Sequence, residues 1–143
     1  MLPLFLAAAV CFAIAACSDD DDDEIINENE LPQAARTFVA TYFPSARIMT
    51  SGKDNNEYEV TLSDGTRIDF NKSEEWTDVD AAYGREIPSG FYPGEIDTYI
   101  STNLSGSGIN EISKEHRGYD VELINGKELL FNHNGAFIGY DID

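Results

Sequence analysis

Sliding the sequence along itself by 61 residues aligns 32–82 with 93–143 without a gap. Identities recur at Pro32/Pro93, Thr37/Thr98, Thr41/Thr102, Ile48/Ile109, Lys53/Lys114, Tyr58/Tyr119, Val60/Val121, Leu62/Leu123, Gly65/Gly126, Phe70/Phe131, Asn71/Asn132 and Asp80/Asp141. Conservative pairs such as Phe38/Tyr99, Val39/Ile100, Ile68/Leu129 and Trp76/Phe137 fill the apolar positions between them. A register kept this long predicts two copies of one structural unit, repeat one at 32–82 and repeat two at 93–143. The intervening AAYGREIPSGFY (81–92) is a connection punctuated by Gly and Pro.

Each copy opens on a helical pattern. Pro32 suits a first helical turn, and Ala35, Phe38, Val39 and Tyr42 recur at i, i+3, i+4 and i+7, matched by Ile96, Tyr99, Ile100 and Asn103. One face of each helix is therefore expected in the core, with Pro44 ending the first and Ser105-Gly106 the second. Strands are predicted at 46–50, 57–62, 66–71 and 75–80, and at the corresponding positions of the second copy.

Parity fixes the hairpin register. Tyr58, Val60 and Leu62 must face the same core as Ile68 and Phe70, and a two-residue Asp64-Gly65 loop would put them on opposite faces. A three-residue loop, Ser63-Asp64-Gly65 with glycine in the left-handed region, pairs Val60 with Ile68 and Tyr58 with Phe70. The second copy repeats this through Ile124-Asn125-Gly126, pairing Val121 with Leu129 and Tyr119 with Phe131.

The N-terminal residues are of another kind. Residues 1–16 carry no charge and are too short to span a bilayer, which takes about 20 apolar residues, so they are read as a secretory signal peptide. Met1-Leu2-Pro3 offers no basic n-region, which points to a start upstream. Ile14-Ala15-Ala16-Cys17 resembles the lipobox of bacterial lipoproteins, which implies lipidation of Cys17. Processing there would remove Cys11, leaving no second thiol for an intramolecular disulfide. Aspartates 19–23 repel one another, and 17–30 is expected to be a disordered acidic linker. The run also resembles the acidic export signal of surface lipoproteins, which implies an outer-membrane, lipid-anchored protein exposed at the cell surface, or otherwise on the periplasmic face.

With two helix-then-strand units and the signatures YEVTLSDGTRIDFN and YDVELINGKELLFN, the chain resembles the PepSY-like, β-lactamase-inhibitor-like (BLIP-like) family of secreted bacterial proteins. The resemblance covers 31–143 and implies an open antiparallel sheet with the helices on one face. The expected fold is accordingly α+β, a tandem repeat of a helix plus about four antiparallel strands forming one open sheet.

The chain holds 27 acidic against nine basic residues. Eight of the acids precede Leu31, and the remaining 19 still leave a net charge of −10, which argues against nucleic acid and, the lipid anchor apart, against an anionic membrane surface. The sequence has no G-x-S-x-G, no H-E-x-x-H and no Walker loop, so no catalytic residue, metal ligand or cofactor is assigned. His116 and His133 do not match one another across the repeat and are read as exposed and idle. Trp76 and Phe137 are read as core, and 105–108 as the loop after a helix.

The side chains pointing away from the hairpin cores are more informative. The register sets Glu59 opposite Asp69, Thr61 opposite Arg67, Glu122 opposite Glu128 and Asp120 opposite Leu130. Glu59, Arg67, Asp69, Asp120, Glu122 and Glu128 therefore form a candidate open, solvent-accessible, mostly acidic face. Two directly opposed like-charged pairs are locally unfavourable. The expected function is non-enzymatic binding, inhibitor-like in character, of a protein with a basic patch. The alternative is a small-ligand or calcium-binding surface lipoprotein.

Overall fold

The computed structural model describes residues 24–104 and 106–141. The chain parts into two compact units between Asp78 and Val79, and the fold is α+β, as predicted.

The first unit begins with β1 (Glu24–Ile26) and a short 3-10 turn (Glu28–Glu30). It continues with α1 (Gln33–Tyr42), β2 (Ile48–Asp54), β3 (Glu57–Leu62) and β4 (Arg67–Phe70), and reaches β5 (Trp76–Asp80), within which the boundary falls. β1, β2, β3 and β4 pair in that order, each antiparallel to the next. Ala35, Val39, Val60, Leu62, Ile68, Phe70 and Trp76 are buried. Phe38 of α1 meets Phe70 edge-on at 5.6 Å, which seats the helix on the sheet. Complete burial of an aliphatic or aromatic side chain contributes about 1.5–3 kcal/mol, so this face supplies the main stabilisation of the unit.

The second unit holds α2 (Gly94–Asn103), β6 (Ile109–Glu115), β7 (Gly118–Leu123), β8 (Glu128–Asn132) and β9 (Phe137–Tyr140). β6 to β9 pair in chain order and antiparallel. Its core gathers Ile96, Ile100, Ile112, Val121, Leu123, Leu129 and Phe131, with Tyr99 of α2 stacked on Phe137 at 4.2 Å. α1 and α2, β2 and β6, and β3 and β7 have bounds 61 residues apart, and the irregularity after Ile48 recurs after Ile109.

Both hairpins have the predicted register. Tyr58 faces Phe70 and Val60 faces Ile68 in one, Tyr119 faces Phe131 and Val121 faces Leu129 in the other. Gly65 and Gly126 have φ of 92° and 94°, the left-handed region that a three-residue loop demands. Asp64 Oδ1 accepts from Thr66 N at 2.9 Å, and Asn125 Oδ1 from Lys127 N at 3.0 Å, closing the two turns alike.

Several expectations change. The linker read as disordered over 17–30 is ordered from Glu24: β1 covers the free edge of β2, pairing Ile25 with Gly52. Asn27 N and Nδ2 then both donate to Glu30 Oε2, at 3.2 and 3.0 Å, fixing the turn into α1. The strand predicted at 46–50 is Ile48–Asp54, because pairing with β3 continues to the Asn55-Asn56 turn. α2 stops at Asn103, before the predicted Ser105-Gly106, as Leu104 N bonds back to Ile100 O at 2.7 Å. Asn103 is exposed, its Nδ2 bonding Tyr99 O at 3.0 Å, so the apolar stripe of α2 is one turn shorter than that of α1. Trp76 is buried, while its counterpart Phe137 is half-buried.

Candidate binding surface

Strand pairing alone brings carboxylates together in the second unit. Glu111 on β6 faces Glu122 on β7, and Glu122 faces Glu128 on β8. Beyond β9, Asp141 N donates to Glu128 O at 2.9 Å, which adds a fourth acid to the row. A period-2 strand repeats its outward side chains at every second residue, so Asp120 follows Glu122 on the same face.

Crowding leaves its mark on protonation. The Glu128 carboxyl is pushed up to about 7 by desolvation, then by the charges of Glu122 and Asp141 and by a hydrogen bond with Asp141. Asp120 rises to about 6, again first through desolvation, with Glu115 and Asp141 adding repulsion and Arg117 partly offsetting it. Glu122 is raised by desolvation and by Asp80. Desolvation and like charge both disfavour the ionised form.

The equivalent row of the first unit runs Thr50, Thr61 and Arg67. Glu59 stands opposite Asp69 there, and Arg67 takes the place that Glu128 holds in the second unit. The six residues singled out from the sequence thus lie in their predicted registers, three in each unit. Their predicted accessibility needs correction at two of them: Glu59 and Asp120 are only 8% and 9% exposed. Each sits on a strand with a neighbour on either side, so flanking side chains cover these outward groups. Arg67, Asp69, Glu122 and Glu128 are half-buried.

Sequence reasoning missed Glu111 and Asp141. Glu111 is 4% exposed and joins the row through the β6–β7 pairing, and Asp141 does so through its hydrogen bond to β8. A repeat comparison that followed the irregularity after Ile109 would have found Glu111. Sequence reasoning also missed a cleft of about 520 Å³ whose lining includes Glu86, Tyr92, Asp97 and Ser107. Tyr92 Oη donates to Asp97 Oδ1 at 2.8 Å. Burial, then that bond and the charges of Asp97 and Glu86, raise the phenol well above its ordinary value and keep it protonated.

His116 and His133 are exposed, with His133 Nε2 3.0 Å from His116 O. Among the described residues, no three His, Cys, Asp or Glu side chains are grouped to hold a metal ion, and no helix is long and apolar enough to cross a membrane. Cys17 and aspartates 19–23 lie outside the described residues.

A family model described as "Putative beta-lactamase-inhibitor-like, PepSY-like" matches residues 21–65 and 56–139. A crystal structure of a "putative periplasmic protein" from Bacteroides vulgatus is 30% identical, covers 87% of this chain and 100% of its own, and superimposes with a TM-score of 0.77. A second B. vulgatus protein, described as periplasmic and of unknown function, is 30% identical over 84% of this chain and 99% of its own, at a TM-score of 0.76. A "putative calcium-regulated periplasmic protein" from Bacteroides thetaiotaomicron is 26% identical over 85% of this chain and 98% of its own, at a TM-score of 0.77. No curated protein matches the chain.

Proposed function

Because the chain belongs to the PepSY-like, putative β-lactamase-inhibitor-like family, we propose that it is a non-enzymatic binding module of the cell envelope. Its acidic sheet face docks a protein partner bearing a basic patch. Lipid on Cys17 tethers it to the outer membrane, and the acidic run behind that cysteine directs it to the cell surface. The likeness to proteins described as periplasmic supports an envelope setting.

One observation carries the docking reading: Glu128 faces Glu122 across the β7–β8 pair, and desolvation, then the charges of Glu122 and Asp141, push its carboxyl up to about 7. A lysine or arginine brought to this row would replace the proton and let Glu128 ionise, converting repulsion into attraction. Complementary charge of this kind also steers association and is weakened by salt.

The test is capture of a partner by the intact protein, followed by Glu122→Gln and Glu128→Gln. Weaker partner binding that has lost its salt dependence, with stability kept or raised, is the expected result. Unchanged binding in the double variant would exclude the face.

Calcium is the second reading, motivated by the relative described as calcium-regulated. Calcium takes about six to eight oxygens at about 2.3–2.6 Å, a shell that a flat row of cross-strand carboxylates does not close without a loop. Calorimetry separates the two: saturable calcium heat lost with Glu128→Gln favours the ion.

A further inference from the structure

The space beside the C-terminal half of the helix and the start of the strand that follows it is a cleft in both units. In the first unit it has a volume of about 600 Å³. Val39, Phe43 and Ile48 give it apolar walls, and Arg36, Arg47 and Glu28 are its charged lining residues. The cleft of the second unit uses the matching positions Ile100 and Ile109, with Asp97 where the first has Arg36 and Gly108 where it has Arg47. Glu86 packs over Gly108, so close that a Cβ there would meet its carboxylate carbon at 2.8 Å.

The fold therefore builds one cleft at two equivalent places and gives the two opposite charge. Neither arginine is needed to hold the helix on the strand, since Asp97 and Gly108 serve that geometry equally. Arg36 is half-buried and Arg47 exposed. Arg36 Nε is buried and has no hydrogen-bond partner among the described residues. Arg47 Nη2 reaches only Met49 Sδ, at 3.5 Å. In a chain with 27 acids and nine bases, two arginines lining one cleft, Arg36 with a buried N–H left unpaired and Arg47 open to solvent, favour an anion there. A buried guanidinium N–H left unpaired is costly, and a carboxylate is the acceptor that matches its planar fork.

We propose that the α1–β2 cleft is a binding site for a small organic monocarboxylate, whose carboxylate is held by Arg36 and Arg47 and whose apolar body rests on Val39, Phe43 and Ile48. The apolar walls favour an acid with a hydrocarbon body over a bare inorganic anion. Glu28 on the rim disfavours a second negative charge, which selects a monoanion over a dianion. The site lies within the first unit and is independent of the acidic row.

The experiment is titration of the full chain with hexanoate, followed by calorimetry and by the arginine Nε–H signals in nitrogen-15 NMR. Hexanoate should bind saturably, shift the Arg36 Nε–H resonance, and bind at least about tenfold more weakly after Arg36→Gln or Arg47→Gln, the loss expected for one charged hydrogen bond. Asp97→Asn, in the other cleft, should leave hexanoate affinity unchanged. Absence of saturable binding, equal affinity in the Arg36→Gln/Arg47→Gln double variant, or an unmoved Arg36 Nε–H signal in the parent would each overturn the site. Phosphate or hexylammonium binding as tightly as hexanoate would overturn the ligand class. The NMR measurement uses the parent protein and decides the matter even where a variant folds poorly.

Discussion

Glu122 on β7 and Glu128 on β8 face each other directly across an antiparallel pair, and Glu128 is also hydrogen-bonded to Asp141, so that three carboxylates share a short stretch of sheet. Desolvation, and then these neighbouring charges, push the Glu128 carboxyl up to about 7, against an ordinary value of 4.5. The folded state binds that proton more tightly than the unfolded chain does.

The pH dependence follows from this. Glu128 favours the folded state fully below about 4.5, and the contribution is lost as the pH rises through about 7. Asp120, raised to about 6, acts in the same direction. Thermal melts across this window should show stability falling as the pH rises, and Glu128→Gln should flatten the fall. Above the window the variant should be more stable than the parent, by a few tenths to about 1 kcal/mol for relief of a like-charged cross-strand pair. A parent and variant with parallel pH profiles would reject the carboxylate coupling.

Gly65→Val and Gly126→Val should each destabilise the protein by about 1–2 kcal/mol, since a β-branched residue resists the positive φ both positions adopt. Nothing lies within 4 Å of a Cβ built on Gly126, so there the cost is purely one of backbone conformation. Chemical denaturation measures it, and Gly126→Asn should recover part of the loss because asparagine tolerates the left-handed region.

Gly118→Ala should cost more than either loop substitution allows for on backbone grounds. A Cβ at this position would run into the Phe131 carbonyl oxygen, and the φ of 149° is itself disfavoured for a side-chain-bearing residue. The β7–β8 hairpin must shift to admit the methyl, with a loss of about 1–3 kcal/mol or more, as in an overpacked core. The corresponding residue of the first unit, Glu57, opens the equivalent strand β3, so glycine is required at only one of the two places. Glu57→Gly should therefore bring no gain, only the backbone-entropy loss of about 0.5–1 kcal/mol that glycine carries in a strand.

Cys17→Ala should abolish acyl labelling and leave the protein unprocessed or unanchored. Replacing aspartates 19–23 with alanine should keep the lipid but protect the protein from protease added to intact cells. Normal acyl incorporation in the first variant would reject the anchor, and equal digestion of the second would reduce the aspartates to a spacer.

The sequence alone determined the local geometry. Apolar residues at helical spacing placed α1 and α2, and alternation along β3, β4, β7 and β8 combined with Gly65 and Gly126 left one register in which every apolar side chain faced the core. That register specified the Glu59/Asp69 and Glu122/Glu128 pairs before any coordinate was known, because side-chain parity in a hairpin depends only on near neighbours in the chain. What required tertiary structure was everything set by the neighbour on the far side. Burial of Glu59 and Asp120 depends on the strands flanking them, and the order of Glu24–Ile26 depends on an unpaired edge of β2 that the acidic composition could not reveal. Asp141 joins the acidic row through a backbone bond to Glu128, and Arg36 and Arg47 come to one cleft through the packing of α1 beside β2. A charge pattern along a chain states which residues carry charge; only packing decides which of them share a desolvated space, and it is desolvation that raises Glu128 and leaves Arg36 Nε without a partner among the described residues.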